Sequence, residues 1–139
     1  KVLVFVPYRH TIEVVAEDLR KHKIPTAVIH GGVPANKRSA IFDRFQTKDD
    51  LRVLVIQPQA ASHGVTLHAA NTIVYWSPVM SVETYLQCNA RVHRAGQKNP
   101  CTVVHLVGSD VERKLYKALA NRTLAQDTLL SMYKEVLGT

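Results

Sequence analysis

The chain has 139 residues and carries 18 Lys and Arg against 11 Asp and Glu, a formal charge of +7. That length makes one domain with a core large enough to fold without disulfides or metal, and the positive excess favours anionic partners, nucleic acid first. Two cysteines, Cys88 and Cys101, exclude a disulfide framework and point to a reducing, intracellular compartment; no apolar run approaches the roughly 20 residues of a membrane span, and no signal peptide is visible.

The chain opens on KVLVFVP, without Met and already inside an apparent strand, which points to a fragment of a longer protein. Val2–Val6 is a continuous β-branched run, the pattern of a strand buried on both faces. Ile12, Val15, Ala16 and Leu19 then recur at helical spacing, with Thr11, Glu13 and Glu17 placing acid early in that helix. Thr26–His30 reads as a second strand, closed by Gly31-Gly32. Pro34 opens a second helix whose apolar face holds Ile41, Phe42 and Phe45. Leu51–Ile56 and Asn71–Trp76 are the third and fourth strands. A helix from Val82 to Ala95 is expected to end at Gly96 as its C-cap. Cys101–Val107 is a fifth strand, and Asp110–Leu137 reads as one or two helices broken near Asn121–Arg122. Strands alternating with helices at this spacing mean an α/β fold with a mostly parallel sheet flanked by helices on both faces. Functional residues should then collect in loops at the carboxyl ends of the strands: Pro7–His10, His30–Lys37, Gln57–Thr66, Ser77–Ser81 and Gly108–Asp110.

Near the end of the third expected helix stands QCNARVHRAGQKNP, Gln87 to Pro100. Gln87, Arg91 and Arg94 are spaced i, i+4 and i+7, one face of a helix. Two guanidinium forks a turn apart match the oxygens of a triphosphate and the charge that develops on its terminal phosphoryl group, an arginine-finger arrangement. The plain alternative is a solvated charged face with ordinary ion pairs.

The longer pattern Q-x-x-x-R-x-H-R-x-G-Q, at Gln87, Arg91, His93, Arg94, Gly96 and Gln97, resembles motif VI of superfamily-two helicases in its Swi/Snf-type form. Other segments agree in order. KVLVFVPYRHTIEVVAEDL is similar to motif IV. HGGVPANKRSAIFDRFQ resembles the motif after it, and VLVIQPQAASHGVTLHAANTIVYWSP looks like motif V with its following strand. VVHLVGSDVERKLYKAL looks like the closing strand and helix. The His-Gly before Val-Thr-Leu is closer in look to phage or prophage members than to chromatin remodellers.

The resemblance covers roughly residues 1–120. It implies that residues 1–139 are a single RecA-like domain, the C-terminal lobe of a two-lobed motor. ATP with Mg²⁺ would be held mainly by the N-terminal lobe of the same protein. In the family, motif VI arginines reach the γ-phosphate, which carries over to Arg91 and Arg94 as catalytic residues, with Gln87 and Gly64 also facing the nucleotide. His30, Gly31, Gly32, Arg38, Thr66 and Arg9 would contact nucleic acid, DNA first and RNA as the other choice. Glycines in those turns allow close backbone approach to phosphate. The chain departs from the chromatin-remodelling form of motif V: Gln59-Ala60-Ala61-Ser62 stands where that form has Arg-Ala-Gly-Gly, and Thr66 where it has Asn.

The chain has no G-x-x-x-x-G-K-[ST] loop and no Asp-Glu pair closing a strand. Those belong to a first lobe, so the full-length protein is expected to be an ATP-dependent helicase or translocase and this chain alone to be inactive. A different class of reading is a stand-alone basic module that binds nucleic acid without ATPase activity. Cys88, His93, Cys101 and His105 suggest zinc by type, but Cys88 and His93, five apart on a helix, point in different directions, and Cys101 and His105 share one face of a strand expected to be buried, so no metal is expected. The location would be bacterial cytoplasm for a phage-derived protein and the nucleus for a eukaryotic one.

Overall fold

Five strands, Val2–Phe5 (β1), Thr26–Ile29 (β2), Val53–Ile56 (β3), Thr72–Tyr75 (β4) and Thr102–His105 (β5), form one parallel sheet in the order β2-β3-β1-β4-β5. The structure is a computed structural model that describes residues 1–61, 65–93 and 96–121. The central strand β1 pairs with β3 on one side and β4 on the other, with Leu3 in register with both Leu54 and Ile73. The chain runs outward from β1 to β2, returns to β3 and crosses to β4, so the strand order reverses about β1.

Successive residues of these strands face opposite sides. Val4 and Val6 of the first strand segment, with Val53 and Val55, pack against Ile12, Val15 and Ala16 of the helix Arg9–Lys21 (α1). Leu3, Phe5, Leu54, Ile56, Ile73 and Tyr75 face the other way. There they meet Phe45 of Ala35–Thr47 (α2), Tyr85 and Cys88 of Val82–Ala90 (α3), and Leu115, Tyr116 and Leu119 of Asp110–Asn121 (α4). Helices therefore cover both faces, as the alternating sequence pattern requires. A fully buried Leu, Ile or Phe side chain contributes about 1.5–3 kcal/mol, and this two-sided burial is what fixes the strand register.

Helix starts follow local chemistry. The Ser81 hydroxyl caps α3 by accepting from the Thr84 amide at 3.0 Å. At α4, Ser109 Oγ accepts from the Glu112 amide while Glu112 Oε1 accepts from the Gly108 amide, a variant of the capping box. The first helix begins at Arg9 rather than at Thr11, so its first turn holds no acid, and Glu13 is directed to a different use described below. The expected second half of the tail, beyond Asn121, lies outside the described residues.

Two expectations are corrected. The strand read as Cys101–Val107 is shorter, and it is the sheet edge rather than a buried strand: Val103 and Val104 remain 38% and 37% exposed. An edge strand has one neighbour, and the same apolar composition serves either position. The helix read as Val82–Ala95 stops at Ala90. The residues just after it are held by bonds from elsewhere in the chain, as the next subsection describes, and Gly96, though its φ of +96° is left-handed, does not cap it.

Candidate functional site

The predicted site residues fall into two groups, one where β1, β2 and β3 end and one around the join of the α3 terminus to the loop after β3. His30, directly after β2, is only 5% exposed. Its Nδ1 accepts from the Gly32 amide at 3.0 Å, so Nε2 carries the hydrogen, 3.4 Å from Glu13 Oε1 on α1. The Gly31 amide donates to Gln57 Oε1 at 3.3 Å, and the Gln57 side-chain amide donates to the Pro7 carbonyl at 3.2 Å. The Arg9 guanidinium lies against Gly32: a Cβ there would meet Arg9 Nη2 at 2.8 Å and Arg9 Cζ at 2.9 Å. Gly32 is thus the residue that lets the guanidinium lie on the turn. Among the described residues, Arg9 and Arg38 form no ion pair.

This changes what the turn can offer. Gly31 and Gly32 were expected to turn their amides toward phosphate, and His30 to join them. Instead His30 is buried with both ring nitrogens engaged, and both glycine amides are satisfied by side chains of this chain. The exposed donor left at this turn is Arg9. For the buried His30 ring full pairing is the favoured state, because an unpaired buried polar group costs about 1–3 kcal/mol.

The second group lies around the α3 terminus. An α-helix that follows a strand in a parallel sheet runs back antiparallel to it, so α3 finishes near the amino ends of β4 and β5. There Thr102 N donates to Asn71 O at 2.8 Å, and the Gln97 side chain donates to Ala70 O at 2.8 Å and Val92 O at 3.0 Å. Of the residues named from the sequence, those of the first group lie at carboxyl ends of strands, whereas Arg91 lies at the far end of α3. The Arg91 carbonyl accepts from the Leu67 amide at 2.8 Å. Its side chain donates through Nε to the Gln87 carbonyl at 2.8 Å and through Nη1 to the Val65 carbonyl at 3.4 Å. Past Ala90 the Arg91 amide turns to the Cys88 carbonyl and the Val92 amide to the Asn89 carbonyl, while the Gln87, Arg91 and Val92 carbonyls are met by the Arg91 guanidinium, the Leu67 amide and the Gln97 side chain.

Arg91 is 6% exposed, so it does not stand outward beside Gln87 as the helical spacing implied. It braces the α3 terminus against the loop that follows β3. Gln87 is half-buried, its amide 3.4 Å from Glu83 Oε1. Arg94 and Gly64 lie outside the described residues. Thr66 is half-buried. Arg38, in the first turn and a half of α2, lines a groove with Ser39, Phe42, Ala60 and Val65, so α2 and the loop after β3 share one surface with the Arg91 brace.

Residues without a sequence signal complete this end. Gln46, late in α2, accepts from the Ala69 amide at 3.0 Å, and its amide donates to the His68 ring at 3.0 Å. An added Cβ on Gly96 would meet His68 Nε2 at 3.2 Å. Behind α3, buried Tyr75 donates to Asn89 Oδ1 at 2.7 Å, Tyr85 Oη is 2.9 Å from His105 Nε2, and the His105 ring stacks on Tyr116 at 4.2 Å. Burial raises the Tyr75 and Tyr85 hydroxyls and lowers His105. It pushes the Cys88 thiol up to about 12, which keeps it protonated and unfit as a nucleophile or metal ligand. Among the described residues, no three His, Cys, Asp or Glu side chains are grouped to hold a metal. No described helix is long and apolar enough to cross a membrane.

Comparison with known proteins adds family and fold. Residues 1–96 match the helicase conserved C-terminal domain. A Caenorhabditis elegans SWI/SNF-related matrix-associated actin-dependent regulator of chromatin subfamily A-like protein 1 homolog is 34% identical over 107 residues, 77% of this chain and 16% of the relative. The ATP-dependent helicase fft2 of Schizosaccharomyces pombe is 27% identical over 131 residues, 94% of this chain and 10% of the relative. A DNA repair and recombination protein RAD54-like from Drosophila willistoni is 28% identical over 132 residues, 94% of this chain and 17% of the relative. The chain thus spans less than a fifth of the length of these relatives. The crystal structure of the C-terminal part of the Fun30 ATPase domain superposes with a TM-score of 0.79 at 23% identity, covering 99% of this chain and 48% of that one. The parallel five-stranded sheet is therefore the RecA-like fold of such a lobe, and by the match over residues 1–96 the chain belongs to the helicase conserved C-terminal domain family.

Proposed function

We propose that residues 1–139 form the second lobe of a two-lobed, Swi/Snf-type ATP-dependent DNA translocase or helicase. The observation that carries this reading is the joining of the α3 terminus to the loop after β3, through the Leu67 amide on the Arg91 carbonyl and the Arg91 guanidinium on the Val65 carbonyl. Family membership supports it, as do relatives named as an ATP-dependent helicase and as DNA repair proteins.

In this reading Arg94 is the arginine finger, and it completes a catalytic pocket whose other wall belongs to the first lobe. Arg91 acts as the brace that fixes where the following residues stand. Gln87 and Gly64 border the same pocket. ATP with Mg²⁺, held chiefly by the first lobe, supplies the phosphoryl chemistry. This chain's part is a positive charge brought to bear across the cleft, which is worth about 10³–10⁵ in rate where a finger is present. Arg9, Arg38 and Thr66 face the nucleic-acid backbone. Contacts of this kind position a duplex or strand without reading its sequence.

The test is DNA-stimulated ATP hydrolysis by the full-length protein beside residues 1–139 alone. The full-length protein is expected to hydrolyse ATP faster with DNA present, and the isolated chain to be inert. Turnover by the isolated chain, or none by the full-length protein with any nucleic acid, contradicts the proposal.

A further inference from the structure

We infer that Gln57 is a positioning residue for nucleic-acid contact, holding the loop after β1 and the turn after β2 at a fixed separation. The inference rests on the reading that Arg9 and Arg38 meet the nucleic-acid backbone. Gln57 is the first residue after β3, and β3 lies between β2 and β1 in the sheet. Its own amide continues the ladder, donating to the Ile29 carbonyl at 2.9 Å, which anchors its backbone to the end of β2. Its side chain then uses both ends of the carboxamide. Oε1 accepts from the Gly31 amide and Nε2 donates to the Pro7 carbonyl.

Only a primary amide of this length provides an acceptor and a donor at those two points. A Glu keeps the acceptor and sets an anion against the Pro7 carbonyl. A Met has the length and neither function. Pro7 is two residues before Arg9, and Gly31 is one before Gly32, the glycine on which the Arg9 guanidinium lies. The bridge therefore acts on the two backbones that set Arg9 in place. The His30 contacts to Gly32 and Glu13 tie the same turn to α1 from the other side. With both anchors made, Arg9 is presented from a fixed platform. Without the Gln57 side chain, the β2 turn keeps the His30–Glu13 contact to α1 but loses its hydrogen-bonded link to the Pro7 backbone.

The predicted consequence is specific to the nucleic acid. In the full-length protein, Gln57→Met should raise the DNA concentration giving half-maximal ATPase about three- to tenfold, the scale of one or two lost neutral hydrogen bonds. The rate at saturating DNA and the KM for ATP should stay within a factor of about two, because the Gln57 side chain bonds Gly31 and Pro7 and not the Val65–Leu67 segment that meets the α3 terminus. Gln57→Ser, which reaches neither partner, should behave alike and guards against a packing fault peculiar to Met. Arg9→Ala and Arg38→Ala are measured in parallel. If these weaken DNA dependence and both Gln57 variants do not, the positioning role is wrong while the nucleic-acid reading stands. If the arginine variants leave DNA dependence unchanged, the nucleic-acid reading fails and the positioning role with it. A Gln57 variant that loses saturated rate with unchanged half-saturation also overturns the inference.

Discussion

The Leu67 amide donates to the Arg91 carbonyl at 2.8 Å, and across that one bond two segments 24 residues apart in sequence are held edge to edge. The Arg91 side chain reinforces the join from the same residue, through the Gln87 and Val65 carbonyls. A residue expected to point outward is instead buried in the join between the α3 terminus and the loop after β3.

Arg91→Ala should therefore be a stability variant as well as a functional one. It removes the hydrogen bonds of a buried guanidinium to the Gln87 and Val65 carbonyls and leaves the Val65 carbonyl without that donor. A loss of about 1–3 kcal/mol is expected, seen as a drop in thermal midpoint of several degrees for a chain of this size. Arg91→Lys should recover little, since an ammonium cannot span both carbonyls. A midpoint unchanged in both variants contradicts the bracing role.

Gly96→Ala should also destabilise, for two separable reasons. Its φ of +96° is disfavoured for a residue with Cβ, and that Cβ would lie 3.2 Å from His68 Nε2. The expected cost is about 1 kcal/mol or more. Adding His68→Ala should relieve the crowding and leave the backbone strain, so the substitution at Gly96 should cost less in the His68→Ala background but still cost. Urea unfolding of the four proteins measures this directly.

How much of this was legible in the sequence differs by element. The strands were, because Val2–Val6 and Leu51–Ile56 are runs that only a doubly covered sheet can bury. The end of α3 was not. Gly96 resembles a C-cap, and nothing near it says that Leu67 and Gln97 hold the Arg91 and Val92 carbonyls just past Ala90. The partners of His30-Gly31-Gly32 were hidden for the same reason. Its composition suits a phosphate turn, while the partners that occupy its donors, Gln57 and Glu13, are 26 and 17 residues away. Short-range spacing reports which groups are present; which of them are already engaged is decided by tertiary contacts.

His105 gives a pH prediction. Burial lowers its pKa below the ordinary 6.5, so the native state favours the neutral ring, which lies against Tyr85 and Tyr116. Below the ordinary value the unfolded chain binds a proton that the folded chain does not, and stability falls. The contribution is fully present above about pH 7.5 and is lost as pH falls through the lowered folded value. His105→Phe should therefore destabilise more at pH 8 than at pH 5.5. Equal or greater destabilisation at the lower pH contradicts this assignment.

The central claim is that this lobe supplies positive charge to a catalytic pocket completed by another domain. The most direct measurement is ATP turnover by the full-length Arg94→Ala protein at saturating DNA, with DNA affinity recorded alongside. The account predicts a fall of about 10³-fold or more in turnover with DNA affinity changed less than about threefold. Turnover close to that of the unmodified protein would contradict it.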